Sequence, residues 1–234
     1  MKNLKMTLTL LIVLALAVTA AAFGFSSPRN GSQEQTMAGM SMPMSMPMSS
    51  SASATGSKAE ELRVTLDNLL GEHALLAIWA TQAGYSGSKS FPALAAQLDK
   101  NSVALSKAIG SVYGAPAAKQ FLDGKNLWRA HIGYFVDYTK ALAMKDKAAQ
   151  KKAVANLMTY IQVQAAFFAK ATGLPKKALV DDLTAHVLQL KGQLDAYAAG
   201  NYKQAYAVTA GAYDHMFMTG DLLAGAIAKQ KGLK

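Results

Sequence analysis

The chain is predicted to be all-α: an up-and-down bundle of about six helices, built from three αα-hairpin repeats. Three observations predict this. Hydrophobic residues make up 51% of the 234 residues while Pro occurs only 6 times, a balance that favours helix over sheet. Apolar residues recur at helical spacing from Lys58 onward, as a face buried along a 3.6-residue period requires. Short Gly, Asn, Asp and Pro breaks punctuate those segments at intervals suited to antiparallel neighbours.

The first helix is expected over 58–84, with Leu62, Leu66, Leu69, Leu70, His73, Leu76 and Ala77 on one stripe, and is broken by the Gly84–Gly87 segment. A second begins near Phe91-Pro92, where proline suits a first turn, and ends at Tyr113-Gly114. The third is expected over 117–144, with Leu127, Trp128, His131, Tyr134, Phe135 and Tyr138 on one face and a turn at Lys145-Asp146. The fourth covers 148–171 and stops at Thr172-Gly-Leu-Pro175, a glycine-then-proline ending. The fifth covers 176–199 and the sixth 202–230, after Gly200-Asn201.

The domain 58–234 is preceded by two segments of different character. Residues 1–22 read as a secretory signal: Lys2 and Lys5, an apolar centre from Met6 to Val18, and Ala20-Ala21-Ala22 as a small-residue cleavage site. The competing reading is an uncleaved anchor continuing to Phe25, which would attach the chain to a membrane. Either reading places the rest of the chain outside the cytoplasm. Residues 23–57 then form a linker rich in Met and Ser, with too little apolar content to build a core, and are expected to be disordered.

Composition excludes several kinds of chemistry. With no cysteine, disulfides, zinc ribbons, thiol catalysis and thiolate-ligated clusters are ruled out. The formal charge of +10 includes Lys2 and Lys5, and the remaining lysines scatter over polar faces (Lys140, Lys145, Lys147, Lys151, Lys152, Lys176, Lys177). No basic-aromatic stripe suggests a nucleic-acid groove, so no nucleic-acid partner is expected. No G-x-S-x-G, H-E-x-x-H or P-loop pattern appears, which leaves hydrolytic chemistry unsupported. Diiron carboxylate sites need Glu-x-x-His pairs on two helices, and the chain has none.

Two features point to metal. Methionines fall at Met37, Met40, Met42, Met44, Met46 and Met48, in a linker where core filling cannot explain them. A thioether is a soft, uncharged ligand that selects Cu(I), and close spacing on a flexible chain lets two or three sulfurs wrap one ion. The competing readings are low-complexity drift and a sacrificial sulfoxide sink.

The second feature is the set of four histidines, His73, His131, His186 and His215. His73 lies 14 residues before Gly87, His186 14 before Gly200, and His131 15 before Asp146. A large apolar residue precedes each by three: Leu70, Trp128 and Leu183. His215 falls 15 residues after Gly200, on a returning helix. At the helical rise all four sit about 20 Å from their turns, so hairpins packed side by side bring the imidazoles to one level. His215 with Met218, three residues on and on the same helix face, adds a His-Met pair suited to copper or a haem iron. The bland reading is a layer of structural histidines filling a helical core. Asp137, Asp195 and Asp214 are the acids placed to orient an imidazole, and equally the polar-face residues of their helices.

The phrases LLGEHALLA (69–77), AIGSVYG (108–114), HIGYFVDY (131–138) and HMFMT (215–219) resemble a group of exported helical proteins from spore-forming, Gram-positive-type bacteria. Some of these are labelled after a copper amine oxidase N-terminal domain that they also carry. The resemblance spans about 60–230 and takes in His73, His131 and His215. It implies a secreted helical module. This chain shows a Met-rich linker in place of the β-rich domain of those proteins, so no activity is carried over.

The expectation is therefore an exported, non-enzymatic helical protein of the cell envelope that binds or buffers copper. Alternatives are an interaction module without metal, and b-type haem binding through paired histidines.

Overall fold

A capping box starts the first helix: the Ser57 hydroxyl accepts from the Glu60 amide, and the Glu60 carboxylate accepts from the Ser57 amide, satisfying two otherwise orphaned donors. The computed structural model describes residues 56–234, which form seven α-helices and no strand. The signal segment, the methionine run and nearly all of the expected linker lie outside the described residues. The helices are α1 (Lys58–Tyr85), α2 (Phe91–Tyr113), α3 (Ala115–Asp123), α4 (Trp128–Ala143), α5 (Lys147–Thr172), α6 (Lys176–Ala198) and α7 (Tyr202–Lys231). The helical-bundle expectation holds. Asp146 caps α5 through the Ala149 amide, Asn201 caps α7 through the Gln204 amide, and Gly173 closes α5 in the left-handed region at φ 76°.

One expected element is corrected. The single helix expected over 117–144 is two, α3 and α4, separated by 124–127. The chain leaves the helix at Gly124 and turns at Asn126, which takes φ 56°. Asparagine tolerates that region better than most residues, and its side-chain oxygen accepts a 2.6 Å hydrogen bond from the Tyr134 hydroxyl. The break restarts the chain at Trp128, on the first turn of α4.

α1 is the central helix. It packs against α2, α4, α6 and α7, and its buried residues run almost without interruption from Leu70 to Ala83. A helix apolar on all sides is one enclosed by others. The expected hairpin partners α1–α2, α4–α5 and α6–α7 are spatial neighbours, but their surroundings differ, since α1 is enclosed and α3 is inserted after α2. α7 approaches α1 closely through glycine: a Cβ on Gly220 would stand 3.0 Å from the Asp67 backbone nitrogen. Lower in the bundle, buried Gln193 joins α6 to α1, accepting from Gln82 at 3.0 Å and donating to Thr81 at 3.3 Å.

Candidate metal centre

Each of three helices contributes one histidine to the core: α1 His73, α4 His131 and α6 His186. They are 0, 1 and 3% exposed. Leu70, Trp128 and Leu183, three residues earlier on the same faces, are all buried, which fixes each helix's rotation so that its imidazole points inward. One ring nitrogen from each lies within 4.8 Å of the other two. The His73 ring centroid is 5.5 Å from that of His131 and 6.1 Å from that of His186. Nitrogens bound to one ion at about 2 Å stand about 3.3 Å apart in a tetrahedral site, so binding would draw the three rings closer together. Three buried histidines close enough to hold one metal ion are thus present.

Aromatic rings enclose the cluster. The Trp128 indole lies 4.7 Å from His73 and 4.9 Å from His131, and Tyr160 stacks on His131 at 4.4 Å. Trp128 is anchored by its own N–H, which donates to Ser102 at 3.1 Å.

These surroundings keep the imidazoles neutral. Burial is the main cause and mutual repulsion the second: His131 is lowered to about 3 by burial and by His186, and His186 to about 3 by burial, His73 and His215. His73 is lowered well below its ordinary value by burial and by His131. Neutral imidazole is the ligand form, so this site needs no deprotonation to accept an ion.

The hydrogen bonding separates the three. His131 Nδ1 contacts the Trp128 carbonyl. A carbonyl can only accept, so Nδ1 carries the proton and Nε2 keeps its lone pair, as in histidines oriented for a metal by an outer-shell carbonyl. His73 has no partner on either nitrogen, and His186 has none on Nδ1. Asn101 approaches His73 and acts to raise its pKa, against the larger lowering by burial and His131. Its amide nitrogen is committed to the Leu69 carbonyl and Glu72, and its buried oxygen closes no hydrogen bond. Leaving buried polar atoms unpaired costs about 1–3 kcal/mol each, which is what a structural histidine avoids.

The fourth histidine stands apart. His215 Nε2 meets the Asp182 carbonyl at 3.2 Å and its carboxylate at 3.4 Å, and it is outside the converging set. The expected His215–Met218 ligand pair is corrected: Met218 is 62% exposed, whereas Met216, two residues earlier, is 4% exposed. The reason is the rotation of α7, whose inward stripe is Ala212, Met216, Thr219 and Leu223. His215 lies at the edge of that stripe, and a further three residues carries Met218 about 60° beyond it, into solvent.

Of the acids considered from sequence, Asp195 instead accepts from Tyr138 at 2.6 Å and Lys191 at 2.5 Å, while Asp137 and Asp214 are exposed. The acid that does reach a histidine is Asp182. Burial raises its pKa, while His215 and the Thr219 hydroxyl act to lower it. Its position four residues before His186, on the same face of α6, was the available signal. Asn101 and Tyr160 were also missed, because their proximity depends on how α2 and α5 pack. No carboxylate belongs to the His73–His131–His186 set.

A cleft of about 420 Å³ runs between α1, the start of α2 and α4, and reaches His73 and His131. Comparison with protein-family models, curated proteins and solved structures finds no match to this chain.

Proposed function

We propose that this is an exported, non-enzymatic protein that binds and buffers copper, holding one Cu(I) ion on His73, His131 and His186. The observation that carries the reading is the convergence of three buried, neutral imidazoles, with their ligand atoms within 4.8 Å of one another and unpaired nitrogens on His73 and His186. Imidazole suits copper, zinc, iron and nickel alike, so charge decides among them. Among the described residues no carboxylate oxygen converges with the three ring nitrogens to neutralise an ion. The cost of placing charge in a dry interior grows as its square, making a divalent ion about four times costlier than a monovalent one. Cu(I) meets that condition, and the thioethers of Met37, Met40, Met42, Met44, Met46 and Met48 supply soft ligands to capture it and pass it on.

A haem held by His73 and His131 fits poorly. The Trp128 centroid is nearly equidistant from both rings, at 4.7 and 4.9 Å. It therefore lies in the plane midway between them, which a porphyrin would occupy. The metal-free alternative is favoured by one observation, the His131 contact with the Trp128 carbonyl, which is also how a structural histidine satisfies itself.

Titration of the full chain with Cu(I) against a chromogenic chelator distinguishes these readings. Two classes of site are expected: one lost on deleting 37–48, the other lost in His131→Ala and His186→Ala variants. A wild-type chain that leaves the chelator fully loaded would end the copper reading.

A further inference from the structure

The cleft beside the histidines has a shape and charge pattern that metal binding does not use. Its floor is His73 and His131, both almost wholly buried. Its walls are small or apolar side chains, among them Ala80, Ala83, Leu98, Ile132 and Phe135. Lys89 and Lys140, both exposed, line its mouth, and among the described residues no acidic side chain lines it. Neither lysine is in an ion pair among the described residues. Along α1 the cleft extends from His73 to Gly84, about 16 Å at the helical rise, and along α4 from His131 to Lys140, about 13 Å.

An elongated, largely apolar volume with cations at its open end is complementary to one class of molecule. We infer that the cleft binds a single-chain anionic amphiphile, a fatty acid of about ten to twelve carbons, with its carboxylate on Lys89 and Lys140 and its tail reaching toward His73 and His131. Volume and charge agree. A cavity of about 420 Å³ lies within the range of small-ligand sites. Two ammonium groups at its rim offer a carboxylate partners that remain in contact with water, so the head need not be desolvated. The inference does not rest on copper: the head is held by Lys89 and Lys140, and the tail meets His73 and His131 only as the floor of the cleft.

The test is calorimetric titration of the metal-free full chain with hexanoate, octanoate, decanoate and dodecanoate, and with the matching alcohols, all below micelle formation. Affinity is expected to rise about fourfold for each methylene added, as burial of a CH₂ requires, and to stop rising once the tail reaches the floor. Each carboxylate should bind about tenfold more tightly than its alcohol. A Lys89→Glu/Lys140→Glu double variant, altered only at exposed positions, should lose that preference and keep the alcohol affinity. Three results would each overturn the inference: no saturable binding, alcohols binding as well as carboxylates to the unaltered chain, or charge reversal without effect.

Discussion

Lowering the pH from 6.5 to 4.5 is expected to cost the metal-free protein about 3–5 kcal/mol of stability. His131 and His186 are held neutral in the fold with pKa values lowered to about 3, against 6.5 when exposed, and His73 is displaced in the same direction. The unfolded chain therefore binds more protons than the native one as soon as the pH falls below 6.5. Stability then declines with falling pH at up to about 1.4 kcal/mol per pH unit for each histidine. The penalty stops growing only below the folded pKa values near 3. Asp67 and Asp182, raised by burial, act in the opposite sense and offset part of the loss. Urea denaturation at pH 7, 5.5 and 4.5 measures it, and equal midpoints at all three would contradict the buried neutral cluster. The same cause predicts that copper uptake by the cluster releases almost no protons between pH 5 and 7, unlike an exposed histidine site.

Replacing His73 with leucine is expected to separate stability from binding. His73 is fully buried with neither ring nitrogen paired, so an apolar side chain of similar size removes two unsatisfied groups. The metal-free His73→Leu variant should be as stable as the unaltered chain or up to about 2 kcal/mol more stable. Its Cu(I) affinity at the histidine site should fall by about a hundredfold or more, since losing even an outer-shell partner costs 10–100-fold. Thermal denaturation and chelator competition on one preparation read both quantities. Destabilisation by several kcal/mol with no change in copper affinity would mean that His73 is a structural histidine.

The placement of that site was partly legible in the chain. Helical periodicity and matched distance from the turns brought His73, His131 and His186 to one depth, and the apolar residue three before each turned it inward. Depth is set by counting along a helix, which a sequence displays directly. Rotation about the axis is set by neighbours, and there the reading failed for α7: a stripe through Ala212, Met216 and Leu223 leaves His215 at its edge and Met218 outside. The break at 124–127 was missed for a similar reason. Gly124 inside an apolar pattern permits a helix to continue, but here its backbone turns extended and ends α3, and the Asn126 conformation, held by Tyr134, then redirects the chain into α4. The cleft could not be read at all, because it is space left between helices by small side chains such as Ala80 and Ala83.

The central claim is that His73, His131 and His186 act together as ligands of one ion. X-ray absorption at the copper edge, on Cu(I)-loaded protein lacking 37–48, tests it most directly. Three nitrogen scatterers at about 2 Å with the multiple-scattering pattern of imidazole are expected, and no sulfur near about 2.3 Å. A spectrum dominated by sulfur, or unchanged in His131→Ala, would contradict it.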